Sequence, residues 1–151
     1  MPESLLPLPL RPIPAVSAAV IRHGRILMVR RRNPPNAGRL ALPGGKIEMG
    51  ESLYEAAARE LEEETGIQAT PIEVITAIDV MHVHEGELLA HFVIVVIGMA
   101  WQGGIEAAGD DATELSWMDA TSLQQAGDDV SETAARVAYR VLEEASGKNN
   151  R

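Results

Sequence analysis

The chain has 151 residues, an apolar fraction of 46%, aromatic residues at 3%, no cysteine and a formal charge of −9. That length suits one ordinary globular domain, and the apolar content excludes wholesale disorder. The charge argues against a nucleic-acid polymer or an anionic membrane as main partner, and the missing cysteines exclude disulfides, thiolate metal sites and a cysteine nucleophile. A small phosphorylated ligand stays compatible, because a bound metal reverses the local sign.

Residues 1–12 read as an extended arm, interrupted by Pro2, Pro7, Pro9 and Pro12. The arm lacks the basic start and unbroken apolar run of a signal peptide, and no stretch reaches the ~18 apolar residues of a membrane span. A cytoplasmic protein is the expectation. Ile13 to Ile21 is apolar and β-branched enough for a strand, Arg22-His23-Gly24-Arg25 is a tight turn, and Ile26 to Val29 returns as a hairpin. Arg30, Arg31 and Arg32 follow, then a loop from Asn33 to Gly38. Alternate strand residues face opposite ways, so at most two of the three arginines share one site. Arg30, Arg32 and Arg39 are the candidates for a ligand phosphate.

Leu40-Ala41-Leu42 predicts a short strand ending at Pro43-Gly44-Gly45, where glycines permit close backbone approach to a ligand. Lys46 to Gly50 is a loop. A helix opens at Ser52, with Glu55 three residues on as a capping box requires, and closes near Thr65 with Gly66 in the C-terminal position. Beyond Pro71, strands are expected at Ile72–Val83 and Leu88–Ala100, the second buried on both faces as a central strand. His82, His84 and His91 fall on or beside these strands and read as structural or rim residues. Gln102 to Asp111 is a Gly-rich loop carrying Glu106, Asp110 and Asp111. A strand at Glu114–Met118, a short helix capped by Asp119, and a helix from Ser131 to about Ala145 complete the chain, with 147–151 as a frayed tail. The expected fold is α/β, a mixed sheet between helices, in a single domain over 1–151.

The chemistry concentrates in the first long helix. At about 100° per residue, Glu63 and Glu64 lie roughly 60° and 40° to either side of Glu60. Leu53, Ala56 and Ala57 share that sector, so three carboxylates continue an apolar stripe, while Glu55 and Glu62 face the other way. Unpaired buried charge costs several kcal/mol, and a bound divalent cation is the simplest compensation.

Gly45, Glu51, Arg59, Glu60, Leu61, Glu63, Glu64, Gly66 and Ile67 together resemble the Nudix box, G-x5-E-x7-R-E-U-x-E-E-x-G-U with U a bulky aliphatic. Every specified position matches. A chance acidic helix would supply the glutamates but not the glycines, Glu51 and Arg59 at these spacings. The resemblance implies an α/β/α sandwich that splits nucleoside diphosphates linked to another group, using Mg²⁺ or Mn²⁺. It implies metal binding by Glu60, Glu63 and Glu64, with the backbone carbonyl of Gly44 or Gly45 as a further ligand, and a loop-to-helix tie between Glu51 and Arg59. The general base is left open between Glu63 or Glu64 and an acid of the downstream loop, of which Asp111, six residues before Trp117, is preferred over Asp110 and Glu106.

Marks of the family's substrate subgroups are mostly missing. His82 stands where ADP-ribose pyrophosphatases often carry proline, and the GGKIEMGE stretch is similar to that of 8-oxo-dGTP sanitising enzymes, without a clear counterpart of their purine-reading asparagine. A nucleoside triphosphate and a nucleotide sugar such as ADP-ribose are the expected substrate classes. Two other readings compete. A non-catalytic nucleotide sensor would be expected to show a degraded box and an added DNA-binding domain, and an RNA 5′-end pyrophosphohydrolase would want a basic groove. A homodimer, frequent in the family, is an expectation by analogy.

Overall fold

The computed structural model describes residues 10–109 and 112–149, with side chains to 147. Most of the proline arm, the end of the tail, and Asp110 and Asp111 lie outside the described residues.

Among those residues, seven strands form one mixed sheet. Strand β1 (Ile13–Arg22) is its centre. It runs parallel to β6 (Glu87–Gly104) from Ile13↔Phe92 to Ile21↔Ala100. Its other edge is shared by β2 (Arg25–Arg31) and β4 (Gly44–Lys46), both antiparallel. The β1–β2 turn puts both His23 and Gly24 at positive φ, the backbone that matches a two-residue turn to strand twist. Strand β2 also pairs with β3 (Leu40–Ala41) and with β7 (Ala112–Met118). Strand β5 (Ile67–His84) forms the far edge, antiparallel to β6.

Alternation along β1 feeds two cores. Val16, Ala18 and Val20 pack with Ala56, Ala57 and Leu61 of helix α1 (Leu53–Thr65). Ala19, with Ile26 and Met28 of β2, packs with Val137, Ala138 and Val141 of helix α3 (Glu132–Asn149) and Leu123 of α2 (Ala120–Ala126). The sheet is thus covered by helices on both faces, as expected. Leu61 is fully buried, which contributes on the order of 2–3 kcal/mol over an exposed position.

Several boundaries differ from expectation. Strand β5 starts at Ile67, directly after the helix-ending Gly66, and continues through Pro71 because the β5–β6 register shifts there and β5 is an edge strand. The Lys46 end of the expected loop belongs to β4. Helix α3 continues to Asn149, past the expected stop at Ala145 and into the segment expected to fray. Strand β6 is not buried throughout. Val96, Ile97 and Met99 are buried, but Leu88 and Leu89 are 48% and 45% exposed, because β1 begins only at the level of Phe92 and the ribbon tip projects beyond it. No helix among the described residues is long and apolar enough to cross a membrane.

Candidate active site

Helix α1 is fixed at both ends by its own sequence. The Ser52 hydroxyl accepts a hydrogen bond from the Glu55 N–H at 3.1 Å, one half of the expected capping box. At the other end Gly66, at φ 72°, donates its N–H to Glu62 O. The loop after β6 satisfies two further carbonyls of the last turn, with Ala107 N–H on Thr65 O and Gly109 N–H on Glu64 O, at 2.9 and 3.0 Å. The acid-bearing loop is therefore anchored at the helix end that carries Glu63 and Glu64.

The box acids occupy three environments. Glu64 is 4% exposed, and its Oε2 accepts the Gly44 N–H at 3.0 Å. Glu60 is half-buried beside β4, and a Cβ on Gly45 would stand 2.5 Å from its Oε1. A larger residue at 45 would have to displace the Glu60 carboxylate, which fills the space of a side chain there. Burial pushes the Glu60 carboxyl above its ordinary range, and the neighbouring Arg59 works against that rise. Glu63 is more open, with its side chain 45% exposed.

Arg59 binds these acids to the loop. Its Nε and Nη2 donate to the two oxygens of Glu51 at 2.6 and 2.9 Å, a bidentate pair. Nη2 also donates to Lys46 O, and Nη1 donates to Glu60 at 3.0 Å and Glu63 at 3.2 Å. Glu48 stands 3.7 Å from Nη1, a neighbour that the spacing argument did not single out. The Arg59 hydrogen bonds, followed by the Glu48 N–H, hold the Glu51 carboxyl down at about 2. Glu51 and Arg59 thus join the loop to the helix.

The donor set suits a hard divalent cation, since Glu60, Glu63 and Glu64 offer only oxygen and Glu60 sits where its charge needs a counter-charge. The three are not gathered in advance. Among the described residues no cluster of three or more acids or histidines stands ready to hold a metal ion. Arg59 instead neutralises Glu60 and Glu63, while Glu64 turns to the β4 backbone.

Beside Gly44, Gly45 and Glu60 opens a cavity of about 470 Å³, which continues across the sheet towards α3. Ile78, Ile94 and Val137 give it apolar walls, and Phe92 is the one ring among its lining residues. Ser131 and Thr133 border it at the start of α3, and Pro34 to Asn36 form its outer lip. A volume of this order is typical of sites for small molecules and cofactors.

The arginines are distributed differently from expectation. Arg30 donates to Glu114 at 2.7 Å, to both oxygens of Asp129 at 2.8 and 2.9 Å, and to Gly38 O. Arg32 and Arg39 are exposed and absent from the cavity lining, whereas Arg31 is part of it. Alternation puts Arg31 on the face opposite Arg30 and Arg32, and the sequence alone did not say which of the two faces meets the cavity. Glu106 accepts the Trp117 indole N–H at 3.1 Å, which gives this loop acid a partner away from the box. His91 pairs with Asp79 at 2.8 Å, and His82, His84 and His91 all lie outside the cavity lining.

A family model described as NUDIX domain matches residues 11–143. An ADP-ribose pyrophosphatase of Methanocaldococcus jannaschii is 35% identical over 114 residues, or 76% of this chain, and the match spans 66% of that protein's length. A MutT-like protein of Streptomyces ambofaciens is 30% identical over 147 residues, which is 97% of this chain and 84% of the relative. Among solved structures, a MutT NUDIX hydrolase from Burkholderia pseudomallei aligns with a TM-score of 0.71 at 29% identity, over 88% of this chain and 97% of that one.

Proposed function

Because this chain belongs to the NUDIX family, we propose that it hydrolyses the pyrophosphate bond of a nucleoside diphosphate derivative. The substrate class is a nucleoside triphosphate or a nucleotide sugar such as ADP-ribose, in line with the ADP-ribose pyrophosphatase name of one relative. One observation carries the reading. The half-buried Glu60, packed into the space a Gly45 side chain would take, borders a cavity large enough for a nucleotide.

In this reading Glu60, Glu63 and Glu64, with a carbonyl of Gly44 or Gly45, would hold Mg²⁺ or Mn²⁺. The cation supplies neutralisation of phosphate oxygens during attack at phosphorus. The chain's own groups do the positioning. Arg59 holds Glu51 by two hydrogen bonds that do not involve Glu60 or Glu63, which fixes the loop to the helix. Glu64 remains registered to β4 through the Gly44 N–H. Phe92 offers the cavity's ring face for a base. The proton of the attacking water goes to Glu63, Glu64 or Asp111.

The test is phosphate release, with Mg²⁺, from deoxynucleoside triphosphates, ADP-ribose, NADH and dinucleoside polyphosphates. At least one is hydrolysed, and Glu64→Gln lowers kcat on it by about 100-fold or more, as expected when a positioned charged group is removed. Tight nucleotide binding with no turnover across the panel would replace the hydrolase by a nucleotide sensor.

A further inference from the structure

Arg31 is the one arginine in the lining of the cavity that Glu60 borders. It is half-buried, and its Nε is fixed by donating to Pro35 O at 2.8 Å, which ties the side chain to the cavity lip. Among the described residues, its two terminal guanidinium nitrogens have no hydrogen-bond acceptor and no carboxylate within 4 Å. The acids of the neighbouring strand and turn, Glu114 and Asp129, are both taken by Arg30. In a chain of net charge −9, a half-buried cation that has no acid partner among the described residues and lies beside a cavity is poised for an anion from outside.

We propose that Arg31 is the substrate-positioning residue of this pocket, its guanidinium end holding a phosphate of the nucleotide. The proposal rests on the pyrophosphohydrolase reading above and deepens it. The planar fork meets two oxygens of one phosphate, while the Nε bond to Pro35 keeps the fork from swinging into solvent. Removing it weakens binding of anything that carries this phosphate. It leaves a ligand made only of base and sugar unaffected, because the apolar wall at Ile78, Phe92 and Ile94 is untouched.

The experiment compares wild type, Arg31→Ala and Arg31→Lys on the panel substrate that wild type hydrolyses fastest. Inhibition constants are measured for the matching nucleoside monophosphate and for the bare nucleoside. Arg31→Ala raises KM and the monophosphate constant by about 10- to 100-fold, with kcat changed by less and the nucleoside constant unchanged. Arg31→Lys, which keeps the charge but loses the fork, falls between. Equal weakening of monophosphate and nucleoside would mean that Arg31 only staples the Pro35 loop, and no weakening of either would mean that it faces no ligand; both overturn the proposal. In those two cases wild-type turnover leaves the hydrolase reading standing. A wild type that turns over no panel member and binds no monophosphate overturns both.

Discussion

Glu60 and Glu51 show opposite solutions to placing a carboxylate beside the same arginine. Glu60 is partly buried, and its carboxyl rises despite Arg59, whereas Glu51 receives two hydrogen bonds from Arg59 and one from the Glu48 N–H and falls to about 2. The Glu51 shift fixes a pH dependence of stability. Its folded value lies below the ordinary 4.5, so the Glu51–Arg59 tie stabilises in full above about 4.5 and is lost as pH falls towards about 2. Denaturant midpoints of wild type and Glu51→Gln should therefore differ most at neutral pH and converge as pH drops from 5 to 3. A gap that stays constant over that range would show that the tie does not hold loop to helix. The acid stripe of Glu60, Glu63 and Glu64 was readable because helical periodicity survives without any knowledge of neighbours. Arg31 was not readable, since alternation separates it from Arg30 and Arg32 but does not say which face of β2 meets the cavity.

Helix α1 is the element whose limits could be read directly from sequence, because its stop and start are chemical. Ser52 caps one end, and Gly66 ends the other in the left-handed conformation. What sequence did not reveal is that the helix end is also a docking point for the loop after β6, a contact between residues about forty positions apart. Gly66 serves both purposes, since a Cβ there would collide with the Ile105 carbonyl. Gly50, at φ 82° with nothing within 4 Å, has the same backbone requirement without the neighbour. Both alanine substitutions should cost roughly 1–2 kcal/mol for the left-handed backbone. Gly66→Ala should cost more and lower kcat as well, by displacing the loop that is bonded to Glu64. Thermal melting checks the first part, at roughly 2–4 °C per kcal/mol for a chain of this length, and turnover the second. Equal melting points for the two variants would remove the loop contact from the account. The β5–β6 ribbon failed to announce itself for a related reason. An apolar run such as Leu88 to Ala100 looks the same whether helices cover it or not, and here coverage begins only where β1 starts.

At the scale of the molecule, the sheet holds two different sides in register. Alternate residues of β1 fix α1 with its acids on one face and α3 with the cavity on the other, and β4 joins them at the sheet edge through Gly44 and Gly45. If Glu60, Glu63 and Glu64 take a cation as proposed, the native state binds it and the unfolded chain, where α1 and β4 are no longer held together, does not. Bound cation must then stabilise the fold by mass action, by about 2.7 kcal/mol when its free concentration is 100 times its dissociation constant. For a chain of this size that corresponds to a rise of about 5–10 °C in melting temperature. The rise should appear with Mg²⁺ or Mn²⁺ but not with sodium chloride at equal ionic strength, since general screening of the −9 charge would act with either salt. Replacing Glu60 and Glu63 by glutamine should abolish it, because among the described residues Arg59 is the hydrogen-bond partner of both carboxylates and a cation can take its place. If the double variant keeps the full divalent-specific rise, the cation binds elsewhere on the acidic surface. The metal roles assigned to these glutamates would then fall, while the fold and the Glu51–Arg59 tie would stand.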